Sequence, residues 1–362
     1  MASKVRPSSE RVYQRQWSVF VTWCNDQGLN PFRIATPRLS DFFTFLKEEK
    51  KIQVSSIRSY FSVVRQTIEA VTDKEISRGE INDMLKGMEK QFPHQKLIFP
   101  TWDLSLVLRR LRAPPFEPLK VCEEKFLTFK TVFLVTLASA ARRSEIHALS
   151  RDFAHNSDWT NLELSLLPDF LPKNQAASST ETRSFRIPAI SNIVGREDKE
   201  DLLLCPVRAI RIYVDRMHSK PNMKSRRFFV SFKPGFTNEI HANTISSWLK
   251  QTVLLAYQLE AKSKELYANP KAHEIRSLSA SLANHCNVAL AEILKSCYWA
   301  THTTFTSFYL KDVTVIANKL MKLGSLVVLG KVLMTAPQKR LALATKNEVT
   351  SAKKHGGRWG KN

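Results

Sequence analysis

The chain has 362 residues, 43% hydrophobic and 24% charged, which predicts two or three domains with ordinary cores and argues against a disordered or fibrous polymer. Lys and Arg number 55 against 33 Asp and Glu, a formal charge of +22; the resulting field suits a polyanion, nucleic acid foremost, with a ribosome-associated or membrane-surface role as the alternatives. The five scattered cysteines show neither CxxC nor Cys/His spacing, MASKVRPSSE lacks a signal-peptide core, and the most apolar run, Thr131 to Ala141, is too short for a bilayer. A soluble, intracellular protein without a disulfide framework, zinc site or membrane span is expected.

Four helices are predicted in the first 92 residues. Tyr13, Trp17, Phe20 and Cys24 share one helical face. Thr36 and Pro37 suit the N-cap and first turn of a second helix, with Leu39, Phe42, Phe43 and Leu46 as its apolar face. Ile57, Phe61, Val64 and Ile68 mark the third, and the fourth runs approximately from Gly79 to Lys90. Phe92 to Lys96 (FPHQK) breaks the pattern and reads as a linker.

The larger remainder opens with helical segments, Trp102 to Leu111 and Cys122 to Ala140. Alternation at Leu162, Leu164 and Leu166 predicts a strand; Phe185 to Ile187, across the polar loop AASSTET, predicts a second, and Arg227 to Phe232 a third. From Asn243 the pattern is helical almost to Met334, where the run LVVLGKVLM suits docking on a neighbouring subunit or on its own domain. Residues 338–362 carry seven Lys and Arg against one Glu and read as a basic tail. The fold class is mainly α with a small β-sheet (α+β).

Four short stretches carry candidate chemistry, and each is weak by itself. In AARRSEIHALS, Arg142 precedes Glu145 by three residues, one face of a helix, so the carboxylate can orient or neutralise an arginine; Arg143 is the adjacent rival. In HEIRSLSASLA, His273 and Arg276 have the same spacing, pairing a proton carrier with a planar phosphate donor. CYWATHTTFTSFYLKD contains Trp299 and, ten residues later, Tyr309, with Tyr298 nearby. Lys173 lies in DFLPKNQ beyond the first predicted strand. Ordinary readings exist for all of them: surface ion pairs, a structural His/Arg pair, core aromatics and a solvated lysine.

Taken in order, Arg142, Lys173, His273-x-x-Arg276, Trp299 and Tyr309 on a basic chain resemble the tyrosine recombinase (phage integrase) family. Trp299, the PDFLPKNQ stretch and the TTFTSFYL ending look most like the recombinases of DIRS/Ngaro-type eukaryotic retrotransposons. The family's glycine before the first arginine is replaced by Ala140, and Trp299 stands one residue further from the tyrosine than in the common pattern. The resemblance implies a helical core-binding (SAM-like) DNA-binding domain over residues 1–92 and a catalytic domain over 97–335. It further implies action on double-stranded DNA in the nucleus, as a homo-oligomer, a tetramer on two DNA sites.

For the reaction, the resemblance implies that Tyr309 attacks the DNA phosphate to give a 3′-phosphotyrosyl bond. Arg142, Arg276 and the Trp299 indole would stabilise the phosphorane oxygens, His273 would assist proton transfer, and Lys173 would protonate the leaving 5′ oxygen. No cofactor, metal or ATP is required in such a scheme, because arginines clamp the charge and the phosphotyrosine conserves the bond energy. A type IB topoisomerase has similar chemistry, but the helical N-terminal part and modest size favour a recombinase. The alternative from a different class is a catalytically silent DNA-binding protein derived from a recombinase.

Overall fold

The computed structural model describes residues 7–72, 74–93, 97–173, 183–191, 199–220, 225–233, 239–260 and 270–317. The loop AASSTET, the LVVLGKVLM run and the basic tail lie outside the described residues. The chain divides into two compact units, residues 1–96 and 97–362. Among the described residues no helix is long and apolar enough to cross a membrane.

In the first unit, α1 (Pro7–Asp26), α2 (Thr36–Glu48), α3 (Val54–Thr72) and α4 (Arg78–Gln91) surround one apolar core. Of the expected α1 stripe, Phe20 and Cys24 are fully buried, Trp17 packs at the margin, and Trp23 joins them. All four predicted α2 residues, Leu39, Phe42, Phe43 and Leu46, are buried. The cap differs from expectation: Thr36 is already helical, and the extended Ala35 precedes it without a side-chain bond. Pro37 in the first turn sets the helical φ there without wasting an N–H.

The second unit is organised around α6 (Glu124–Ser139), in which every residue from Leu127 to Ser139 is buried. Such a helix must satisfy its own polar side chains. Thr131, Thr136 and Ser139 do so by donating to the carbonyls four residues back, at 2.8, 2.7 and 2.7 Å. Before it comes α5 (Leu104–Arg110), capped by Asp103, whose carboxylate accepts from the Ser105 amide at 2.9 Å. After it come α7 (Arg143–His147) and a three-stranded antiparallel sheet of β1 (Leu149–His155), β2 (Asn161–Leu166) and β3 (Ser184–Pro188) in the order β1-β2-β3. Leu162 pairs with Ile187 and Leu164 with Phe185, so the apolar alternation faces the core.

The remaining helices are α8 (Lys199–Leu202), α9 (Pro206–Tyr213, extended by a π-helical turn to His218), α10 (Ala242–Gln258), α11 (Ala272–His285), α12 (Leu290–Ser296) and α13 (His302–Phe308). α9, α10 and α11 each pack on α6. Two expectations need correction. Arg227 to Phe232 is not a strand: it makes only isolated bridges, Ser150 to Arg227 and Val230 to Glu239, and Phe228, Phe229 and Val230 are all buried rather than alternating. The helical run after Asn243 is interrupted, with Asn287 and Tyr298 in left-handed conformations at φ 60° and 50°.

A buried ion cluster ties α6 to its neighbours. Glu117 accepts from Lys130 Nζ at 2.5 Å and from Arg208 Nη1 and Nη2 at 2.7 and 3.0 Å. Burial pulls the fully enclosed Lys130 ammonium down to about 8, against the opposing pull of Glu117. Removing the shared anion strands two cations, so Glu117→Gln is expected to cost roughly 3–5 kcal/mol of stability in urea unfolding. A loss below about 1 kcal/mol would show the cluster to be dispensable.

Candidate active site

α6 ends when Ala140 turns left-handed, at φ 47° and ψ 26°. That reversal frees the Ala140 carbonyl from the helix and delivers Arg142 to the start of α7. Glu145, fully buried, then reaches back: its Oε2 accepts the Arg142 backbone N–H at 2.7 Å and its Oε1 accepts Arg142 Nη1 at 2.8 Å. Arg143 leaves on the other side, exposed, and donates to Asn243 Oδ1 at 2.8 Å and Ser246 Oγ at 3.3 Å on α10. The two adjacent arginines are thereby distinguished. Only Arg142 joins the carboxylate.

Arg276 enters from α11 with its side chain 3% exposed. Its Nη1 donates to the Ala140 carbonyl and its Nη2 to the Cys297 carbonyl, while Nη1 stands 3.8 Å from Glu145 Oε2. Burial and the neighbouring Arg142 lower its pKa and Glu145 opposes them; a guanidinium remains a cation at neutral pH all the same. Its central carbon lies 4.7 Å from the Trp299 ring centre and 5.6 Å from that of Tyr309, within cation–π range.

Trp299 and Tyr309 belong to a small apolar cluster of their own, with Ala140, Ala280, Ala283, Ile293, Cys297 and Phe305. Trp299 lies in the break between α12 and α13, stacks on Phe305 at 5.4 Å and meets the Tyr309 ring at 4.5 Å. Tyr309 closes α13, its N–H bonded to the Phe305 carbonyl at 2.9 Å and its own carbonyl accepting from Ser281 Oγ at 3.3 Å. Tyr298, the rival tyrosine, donates its hydroxyl to the Ser184 carbonyl at 3.0 Å and serves β3 instead.

Three buried N–H groups, Arg276 Nε, Trp299 Nε1 and Arg183 Nη1, have no hydrogen-bond acceptor among the described residues. Buried donors are rarely left so in a folded protein, where water or a bound group usually meets them. Arg183 was not among the predicted residues. It immediately precedes β3 and stands 3.8 Å from Glu145 Oε1, with its guanidinium 4.3 Å from the Tyr298 ring centre. The one sequence signal was a basic residue at the foot of a predicted strand.

The two other predicted residues are placed differently. His273 lies on α11 one turn before Arg276, with its side chain open to solvent. Partial burial of the ring, with Lys271 and Lys311 nearby, lowers its pKa below the usual imidazole value, and Glu274 opposes them. Lys173 is exposed in the turn that follows β2, and no bond or ion pair joins it to the arginines among the described residues.

No protein-family model matches the chain, and no curated protein matches it by sequence. Solved structures do. A lambda integrase dimer bound to a COC′ core site gives a TM-score of 0.51 at 12% identity, over 86% of this chain and 73% of that one. A lambda integrase tetramer bound to a Holliday junction gives 0.51 at 13%, over 86% and 74%. A second lambda integrase dimer on the COC′ core site gives 0.50 at 14%, over 85% and 90%. The chain therefore has the fold seen in lambda integrase, mainly helical with a small antiparallel sheet, over 85–86% of its length.

Ala140 lends itself to a direct measurement. A left-handed backbone costs an L-residue roughly 1–2 kcal/mol, whereas glycine costs roughly 0.5–1 kcal/mol in chain entropy. Ala140→Gly should leave stability unchanged or raise it by up to about 1 kcal/mol in urea unfolding. A clear loss would mean that the alanine methyl group contributes more packing than its strained backbone costs.

Proposed function

We propose that this chain breaks and rejoins double-stranded DNA as a tyrosine recombinase, with Tyr309 as the nucleophile. The observation that carries the proposal is the pair of acceptor-less buried donors, Arg276 Nε and Trp299 Nε1, on side chains that both pack against the Tyr309 ring. A phosphate beside the tyrosine supplies the missing acceptors.

In the reaction the Tyr309 oxygen bonds to phosphorus and the bond from phosphorus to the 5′ oxygen breaks, leaving a 3′-phosphotyrosine and a 5′-hydroxyl. Arg142 and the Nε of Arg276 offer N–H donors to the non-bridging oxygens, which gain charge as the phosphorane forms. His273, neutral at pH 7, takes the phenolic proton, and Lys173 gives one to the departing oxygen. A 5′-hydroxyl from another strand reverses the step and exchanges the strands. Assembly as a tetramer on two DNA sites belongs to the same proposal; lambda integrase itself has been seen as a dimer and as a tetramer on DNA. Trp299 and the PDFLPKNQ stretch support placing the chain with DIRS/Ngaro-type retrotransposon recombinases, which implies a nuclear site of action.

The decisive experiment offers the full chain a pool of nicked duplexes with randomised sequence and looks for protein–DNA adducts on a denaturing gel. Wild type and Tyr298→Phe should trap DNA; Tyr309→Phe should trap none while binding the pool about as tightly. Binding without any adduct in wild type would establish a silent DNA-binding protein, and an adduct from Tyr309→Phe would displace the nucleophile.

The role of His273 predicts a pH profile. Since its pKa is lowered, the imidazole is already neutral above pH 6.5 and becomes protonated only below it. Adduct formation by wild type should stay level from pH 8 down to about 6.5 and fall at lower pH. His273→Ala should be slower and lack that acid limb. An acid limb that survives in the variant assigns the titration to another group.

A further inference from the structure

Glu145 is the only carboxylate within 4.0 Å of Arg142, Arg183 or Arg276 among the described residues. Three guanidiniums around one carboxylate leave an excess of two positive charges in a nearly closed site. A phosphodiester brings one negative charge, and the five-coordinate phosphorane gathers a second. Arg142 and Arg276 alone would leave an excess of one, so the third arginine matches the cluster to the more highly charged species.

Arg183 is also built into place. Its carbonyl accepts from the Leu166 amide at 3.2 Å, fixing the start of β3 on the end of β2. Its guanidinium lies over the Tyr298 ring, and that ring is anchored through its hydroxyl to the Ser184 carbonyl at 3.0 Å. The side chain is 11% exposed, yet among the described residues Nη1 has no hydrogen-bond acceptor; at 3.8 Å, Glu145 attracts it without bonding it. By contrast, Arg216, a structural arginine of the same unit, spends its Nη1 on the carbonyls of Leu119 and Cys122 at 2.8 Å each.

We infer that Arg183 is a further phosphate-binding residue of this site, giving its Nη1 donor to a non-bridging oxygen of the DNA phosphate. The inference rests on the strand-exchange reading for the identity of that phosphate, though not for the existence of an anion site. Lys173, from the same connection between β2 and β3, then acts on the leaving oxygen while Arg183 holds the phosphate itself.

The test uses the full chain and inorganic phosphate, titrated by calorimetry against a constant ionic strength of chloride. Wild type, Arg183→Ala, Arg183→Met, Arg183→Lys and Arg143→Ala are compared after their unfolding in chloride alone has been matched. Methionine keeps an apolar stem against Tyr298, so it covers the case in which alanine fails to fold. Loss of one charged hydrogen bond corresponds to at least about a tenfold weaker phosphate affinity in Arg183→Ala and Arg183→Met. Arg183→Lys should recover part of it, and Arg143→Ala should match wild type. Absence of phosphate binding by wild type, affinity unchanged in the Arg183 variants, or an equal loss in Arg143→Ala would each overturn the inference. Adduct trapping, run alongside, is read separately. If wild type traps no DNA but phosphate binding still depends on Arg183, strand exchange fails and the anion site stands; the opposite pair of results leaves strand exchange standing and removes Arg183 from it.

Discussion

One carboxylate makes the site possible. Guanidiniums brought this close in a poorly solvated setting repel one another, and the low local dielectric magnifies the repulsion. Glu145 supplies the compensating charge, and it does so fully buried, where the attraction is screened least. Its two oxygens divide the work: Oε1 faces Arg142 and Arg183, and Oε2 faces the Arg142 backbone and Arg276. The same group thus closes the first turn of α7 and collects cations from three separate elements. Without it, α7, β3 and α11 would have no shared electrostatic reason to converge.

Packing supplies what charge does not. The aromatic side of the site rests on an apolar cluster separate from the main core, in which Ala140 just past α6 and Ala280 and Ala283 of α11 meet larger residues between 288 and 305. Alanines at 280 and 283 leave room for the large rings of Trp299 and Phe305 to approach α11. Tyr309 is fixed through its backbone, by Phe305 within its own helix and by Ser281 on α11, so its side chain need not contribute to its own placement. Among the described residues no hydrogen bond engages the Tyr309 hydroxyl, in contrast with Tyr298, whose hydroxyl donates to β3.

Much of the helical framework was legible because amphipathic stripes need only local periodicity; α2 and α3 bury the residues that their spacing selects. The sheet was legible where alternation is strict, in β2 and β3. β1 was missed because LSRDFAH buries only its first two residues fully and its pairing slips between Leu149 and Phe153, which erases the period. The apparent strand near Arg227 failed for the converse reason: consecutive apolar residues buried on every side mimic one. At the site, the order of residue types pointed to Arg142, Arg276, Trp299 and Tyr309, which the structure does bring together. In the sequence Arg142 is set apart from Arg143 by standing three residues before Glu145; in the structure Arg142 bonds that carboxylate while Arg143 turns to α10. Arg183 belongs to no motif and is marked only by its place at the foot of a predicted strand. The helix breaks were hidden because Asn287 and Tyr298, rather than glycines, adopt the left-handed backbone.

Arg276 is held by two backbone oxygens, those of Ala140 and Cys297, which are 136 and 21 residues away from it. A carbonyl ligand has no side-chain identity. What positions 140 and 297 must preserve is a chain direction, so the alphabet allowed there is set by which residues tolerate that direction and fit the adjoining cavity. Alanine at 140 meets this requirement in the left-handed conformation and presents its carbonyl to Arg276. Comparison of such proteins by matching letters therefore passes over part of the site's own coordination shell, and two chains with few residues in common can hold the same guanidinium in the same grip.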